Sequence, residues 1–250
     1  MSNKLASIIT VMVALCAAAA IIFTVVTLYS RHNNSNNGNG GFVPDAQLQA
    51  EVDEAAGRLV IDNIRVFKLF YTKVYDMPAP DPRYPYLHLP SVDFEDEPYN
   101  HILPPVNVPS NPPATGEEEP RYYYTLKNGV LEFDTVDELF ELVDNTFVAD
   151  VAESIKNATE LTQGRGPVYA EGRNGKIGVN ALFQPMEYHV VLKSGSNNVE
   201  LEYISETECV ISVHLTNPEA TATTDEADVV EKLGMLKGED GVWRLENIFY

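Results

Sequence analysis

The chain has 250 residues, 44% of them hydrophobic, with 17 Lys and Arg against 37 Asp and Glu and a net charge of −20. A field of that sign repels phosphate backbones and anionic headgroups, which excludes nucleic-acid binding and points to cationic partners. Of the two cysteines, Cys16 and Cys209, only Cys209 lies beyond the N-terminal leader, so no disulfide can form within the rest of the chain and the redox compartment stays open.

Residues 1–30 are expected to be a transmembrane anchor. Leu5 to Ser30 carries no charge, and its 26 positions reach about 39 Å as a helix, enough to cross a ~30 Å hydrocarbon core. A cleaved signal would end its apolar core near the small residues Ala17–Ala20, yet Ile21, Ile22, Phe23, Val25, Val26 and Leu28 continue it. Lipid attachment at Cys16 is disfavoured by the large Leu15 before it. Lys4 and the amino terminus set against Arg31 give a thin charge bias toward an N-in, domain-out orientation.

Residues 31–43 form a linker whose core, His32 to Phe42, reads HNNSNNGNGGF. This Asn/Gly/Ser spacer cannot bury a core, and as a flexible coil it spans about 20 Å. Residues 44–76 are expected to form a long helix opening at Pro44 and Asp45. Leu48, Val52, Ala55, Leu59, Asn63, Val66 and Phe70 share one face, widened by Ala56, Ile64 and Phe67. Glu51, Glu54, Arg58, Asp62, Arg65, Lys68 and Lys73 fall on the solvated side.

Residues 77–120 hold twelve of the 16 prolines. That density argues against helix and ladder pairing, so an acidic, polyproline-like insertion is expected. It is either a disordered loop or an arm docked through Tyr84, Tyr86, Phe94 and Tyr99.

Residues 121–250 complete the domain. YYYTLKNGVLEFDT predicts a hairpin turning at Asn128-Gly129. Thr135-Val-Asp-Glu138 has capping-box spacing and predicts a helix to about Asn145, with a second short helix over Ala149–Asn157. Strands are expected in MEYHVVLK, VELEY and CVISVHL, and in a last pair around Gly238–Gly241. The class is α+β: one long and two short helices packed on a curved antiparallel sheet, cystatin-like or NTF2-like, behind the single transmembrane helix.

No catalytic set stands out. Cys209 and His214 lie five apart on one strand, on opposite faces, and no histidines or cysteines share metal-ligand spacing. Gly172-Arg-Asn-Gly175-Lys176 lacks the gap and the following Ser/Thr of a phosphate loop and is better read as a turn between PVYAE and KIGVN. Neither metal nor cofactor is expected.

From Tyr122 onward, YYYTL, FDTVDELFELVDNTF, VADVAESI, GPVYAEGRNGKIGVN and EDGVWRLENIFY occur in an order that resembles the IseA-type DL-endopeptidase inhibitor family of Gram-positive envelopes. The matching positions are Leu139, Phe147, Tyr169, Arg173, Gly175, Asn180, Gly241, Trp243 and Arg244. The resemblance implies a protein without catalysis of its own that blocks cysteine endopeptidases of the NlpC/P60 class. A basic cell-wall endopeptidase is then the expected partner, and the contact surface is expected to include Tyr169, Glu171, Arg173, Asn174 and Asn180, joined by the acidic proline-rich arm with its cluster Asp93–Glu97. The alternative is an NTF2-like envelope domain binding a small ligand or peptide between helix and sheet.

Overall fold

A computed structural model describes residues 42–76, 80–81, 84–88, 93–95, 99–101, 121–187, 191–193, 198–216 and 228–249. The chain divides into two units, Met1–Asp45 and Ala46–Tyr250, and the second carries every helix and strand among the described residues. The apolar leader and nearly all of the spacer lie outside the described residues. Among those described, no helix is long and apolar enough to cross a membrane.

Helix α1 runs from Ala46 to Tyr71, opening two residues later than Pro44 and closing before Asp76. Its sequence is rich in Ala, Leu, Gln and Glu, which lose little side-chain freedom in a helix. It stops because Thr72 leaves to bridge Met186 and Tyr75 turns into the core. Val52, Ala55, Ala56, Leu59, Asn63, Val66, Phe67 and Phe70 are buried as the spacing predicts; Val60 and Leu69 join them, and Leu48 and Ile64 are only partly covered. Asn63 is the polar exception in this stripe. Its Nδ2 donates to the Phe249 carbonyl at 3.2 Å, and its Oδ1 accepts from the Phe249 N–H at 3.3 Å. A side-chain amide therefore serves the chain terminus as a strand neighbour would.

The proline-rich segment is where expectation and structure part. Strands β1 (Pro80–Asp81) and β2 (Tyr84–His88) pair antiparallel across a register shift, and β3 (Tyr99–His101) pairs with β4 (Arg121–Thr125). Ladder pairing survives because each proline removes only its own N–H, and β3 and β4 contain none. Between these pieces Phe94 is 1% exposed and bridges Leu126, so this part of the insertion is docked core. The side chains of Tyr84, Tyr86 and Tyr99 lie outside the described residues.

The turn at Asn128-Gly129 forms, with Gly129 at φ +80°, but the expected hairpin does not. Both edges of β4 are already taken: β3 pairs on one side, and β6 (Ile177–Asn180) pairs on the other. Leu126 N–H donates to Ile177 and Lys127 N–H to Asp93, so the residues after Gly129 find no free edge. With β5 (Tyr169–Glu171), these strands make an antiparallel sheet in the order β3-β4-β6-β5.

Helix α2 (Val136–Thr146) carries the predicted capping box: the Glu138 N–H donates to Thr135 Oγ1, and the Glu138 carboxylate accepts from the Thr135 N–H. Helix α3 (Ala149–Lys156) follows. A second sheet gathers β7 (Val191–Leu192), β8 (Val199–Ile204), β9 (Glu208–Thr216), β10 (Asp228–Lys237) and β11 (Trp243–Leu245). The order is β11-β10-β9, with β7 and β8 sharing the far edge of the long β9. A bulge between Leu201 and Tyr203 adds local twist, which curls the sheet.

Cys209, Ile211, Val213 and Leu215 face inward, as their alternation predicts, and meet Leu233, Met235 and Leu245 in the core shared with α1. The closing hairpin turns at Gly241 (φ +77°), held by the bidentate Arg244–Asp240 pair, and Arg244 keeps the Asp240 carboxyl at about 2. Trp243 is buried, and its indole N–H donates to Glu51 of α1 at 2.7 Å. The architecture is thus mixed α+β, three α-helices among the described residues on curled antiparallel sheet.

Candidate docking surface

The turn between β5 and β6 displays the expected contact residues. Gly172 enters it with no room for a side chain: a Cβ there would lie 2.8 Å from the Lys176 carbonyl oxygen. Only glycine lets the two backbones approach this closely. Asn174 (φ 59°) and Gly175 (φ 76°) are both left-handed, a conformation that asparagine tolerates better than most residues. Gly172 N–H donates to the Lys176 carbonyl at 2.6 Å, Lys176 N–H to the Arg173 carbonyl at 3.3 Å, and Arg173 N–H to Thr125 Oγ1 at 3.4 Å. Glu171, Arg173 and Asn174 are exposed on this frame.

Tyr169 and Asn180 are placed otherwise and drop out of the surface. Tyr169 is fully buried; its hydroxyl donates to the Leu69 carbonyl at 2.7 Å and accepts from Tyr75 at 3.3 Å. Burial raises the pKa of both phenols. Asn180 donates to the Arg165 and Pro167 carbonyls and accepts from the Leu182 N–H, holding the loop before β5. Both are buried in paired strands, on opposite and equally covered faces of the sheet, and the spacing alone did not separate them from the exposed turn.

Glu95 of the acidic proline-rich arm joins the three that remain, through Lys176. Lys176 forms an ion pair with Glu95, whose N–H also donates to the Thr125 carbonyl. Asp93 accepts from the Asp76 N–H at 2.7 Å. The acidic peg Asp93–Glu95 is therefore fixed beside the turn, across a sequence separation of 81 residues between Glu95 and Lys176. No protein-family model matches the chain, and no curated protein matches it.

A separate open cleft of about 430 Å3 lies beside α2, lined by Glu132, Phe133, Asp134, Glu138, Glu141, Leu142 and Asn145. Two of its carboxylates are engaged, Glu132 with Arg65 and Glu138 with the helix cap. Among the described residues, no group of three or more His, Cys, Asp or Glu side chains could hold a metal ion. Glu231 of β10 stands in the inward row with Leu233 and Met235, and burial raises its carboxyl above the ordinary range. Counting alternation back from Leu233 would have found it.

Cys209 is 1% exposed, and burial, followed by the Asp53 charge, pushes its thiol up to about 12. A thiolate is the reactive form. Cys209 is therefore expected to resist alkylation in the folded protein at mildly alkaline pH and to label fully in urea; peptide mapping reads the difference.

Proposed function

We propose that this chain is a membrane-anchored, extracytoplasmic, non-enzymatic protein that binds and inhibits a peptidoglycan DL-endopeptidase of the NlpC/P60 class, regulating cell-wall hydrolysis. The finer architecture belongs to the same proposal: a cystatin/NTF2-like domain, α1 lying across a curved sheet, held by a single transmembrane helix. The observation that carries the reading is the rigid Gly172–Lys176 turn, which presents Glu171, Arg173 and Asn174 beside the docked acidic peg. Rigid presentation lowers the ordering cost of docking. The net charge of −20 steers a basic enzyme toward such a surface.

A second reading, an NTF2-like envelope domain binding a small ligand or peptide between α1 and the sheet, meets core side chains such as Leu59, Phe70, Ile211 and Leu233 there, so it draws instead on the cleft beside α2. Its carboxylates suit a cationic peptide better than an apolar ligand.

The purified chain is expected to slow peptidoglycan digestion by an NlpC/P60 enzyme, with potency falling as salt rises. Arg173→Ala should weaken inhibition while leaving the urea midpoint in place. Unchanged digestion at a large molar excess of the chain rejects the reading.

A further inference from the structure

The chain carries two described Asn-Gly pairs in exposed turns, Asn128-Gly129 and Asn174-Gly175, and the fold treats them differently. We infer that Asn128 is a site of spontaneous covalent modification in the folded protein, converting to aspartate and isoaspartate, while the fold protects Asn174. This chemistry does not depend on the proposed inhibitor role.

The conversion needs only water. The backbone nitrogen of the following glycine attacks the asparagine Cγ, a C–N bond forms, and the side-chain amide leaves as ammonia. Water then opens the succinimide at either carbonyl, giving aspartate or isoaspartate. Glycine in second place favours the attack because it has no Cβ to obstruct the approach and lets the backbone rotate freely.

Closing the ring requires the attacking nitrogen to eclipse Cβ about the Cα–C bond. At Asn174, ψ is 31°, which turns the Gly175 nitrogen well away from Cβ. Reaching the reactive geometry means releasing the Lys176→Arg173 and Gly172→Lys176 hydrogen bonds that close the turn. The Glu95–Lys176 ion pair and the crowded Gly172 backbone resist that opening.

Asn128 sits in a looser turn. Its flanks are anchored, by the Lys127 N–H on the Asp93 carbonyl and by Val130, Leu131 and Phe133 packed on the core. The turn between them, however, is closed by one long bond, Val130 N–H to the Lys127 carbonyl at 3.4 Å, and residues 130–134 join no strand among the described residues. Rotation about the Asn128 backbone therefore breaks that one long bond within the turn. Two net hydrogen bonds of the usual size make Asn174 about tenfold slower. Each conversion at Asn128 adds one negative charge to an already acidic surface.

The test incubates the full chain at mildly alkaline pH, folded and in urea, and follows both sites by cleavage at glutamate, mass spectrometry and isoaspartate detection. That cleavage puts Asn128 and Asn174 in separate peptides, and both apart from the one peptide that carries the spacer's Asn37-Gly38 and Asn39-Gly40. Folded protein should convert at Asn128 about tenfold faster than at Asn174, and the two rates should converge in urea. Equal rates in the folded protein, or an intact Asn128, overturn the inference. A difference that persists in urea also overturns it, because the cause would then be neighbouring sequence.

Discussion

Replacing Phe94 with alanine is expected to destabilise the protein by about 3–5 kcal/mol, the usual cost of emptying a buried aromatic site. The ring is 1% exposed, 5.1 Å from Tyr124 and 5.7 Å from Tyr75 between centroids. It belongs to an aromatic cluster that reaches Phe183 through Tyr75. Losing the ring leaves a cavity among close-packed core side chains, so little collapse can offset it. Urea denaturation measures the loss. A change below about 1 kcal/mol would mean that the proline-rich segment contributes nothing to the core, contrary to its packing. The same variant should loosen the Asp93–Glu95 peg and so weaken the proposed inhibition more than stability alone requires.

Asn63→Leu should cost about 2–4 kcal/mol although it improves the hydrophobic pattern of α1. Leucine is close to asparagine in size and suits a helix, so a reading by propensity alone expects a gain. The amide, however, satisfies both the N–H and the C=O of Phe249. Removing it strands two buried backbone groups, and an unmade buried bond costs far more than a made one contributes. Hydrogen exchange should show the Phe249 amide released in the variant, and an unchanged urea midpoint would refute this role.

The candidate surface was half legible in the sequence. Gly172-Arg-Asn-Gly175-Lys176 reads as a turn because of its two glycines and the asparagine between them, and the structure builds that turn. What spacing could not separate was which flanking residues reach outward. Tyr169 and Glu171 share one face of β5 by alternation, yet only Glu171 reaches solvent. Phe70 of α1 covers the strand at Tyr169, whereas Glu171 stands where the strand enters the turn. That the acidic arm joins the surface was legible, but which of its acids meets the turn was not: Lys176 is brought to Glu95 only after the sheet and the insertion have docked.

Local chemistry alone determined the helices, the capping box at Thr135, the inward row of β9 and the turns at Gly129, Gly175 and Gly241. Each depends on contacts within a few residues, where periodicity and backbone preference act directly. Tertiary structure decided which strand edges were occupied. It paired β4 with β3 and β6 where a local hairpin was expected, and it drew Phe94 out of a proline-rich run into the core. Edge pairing and burial join residues far apart in the chain. Their free energy appears only once the sheet presents a partner, and no local window of sequence contains that partner.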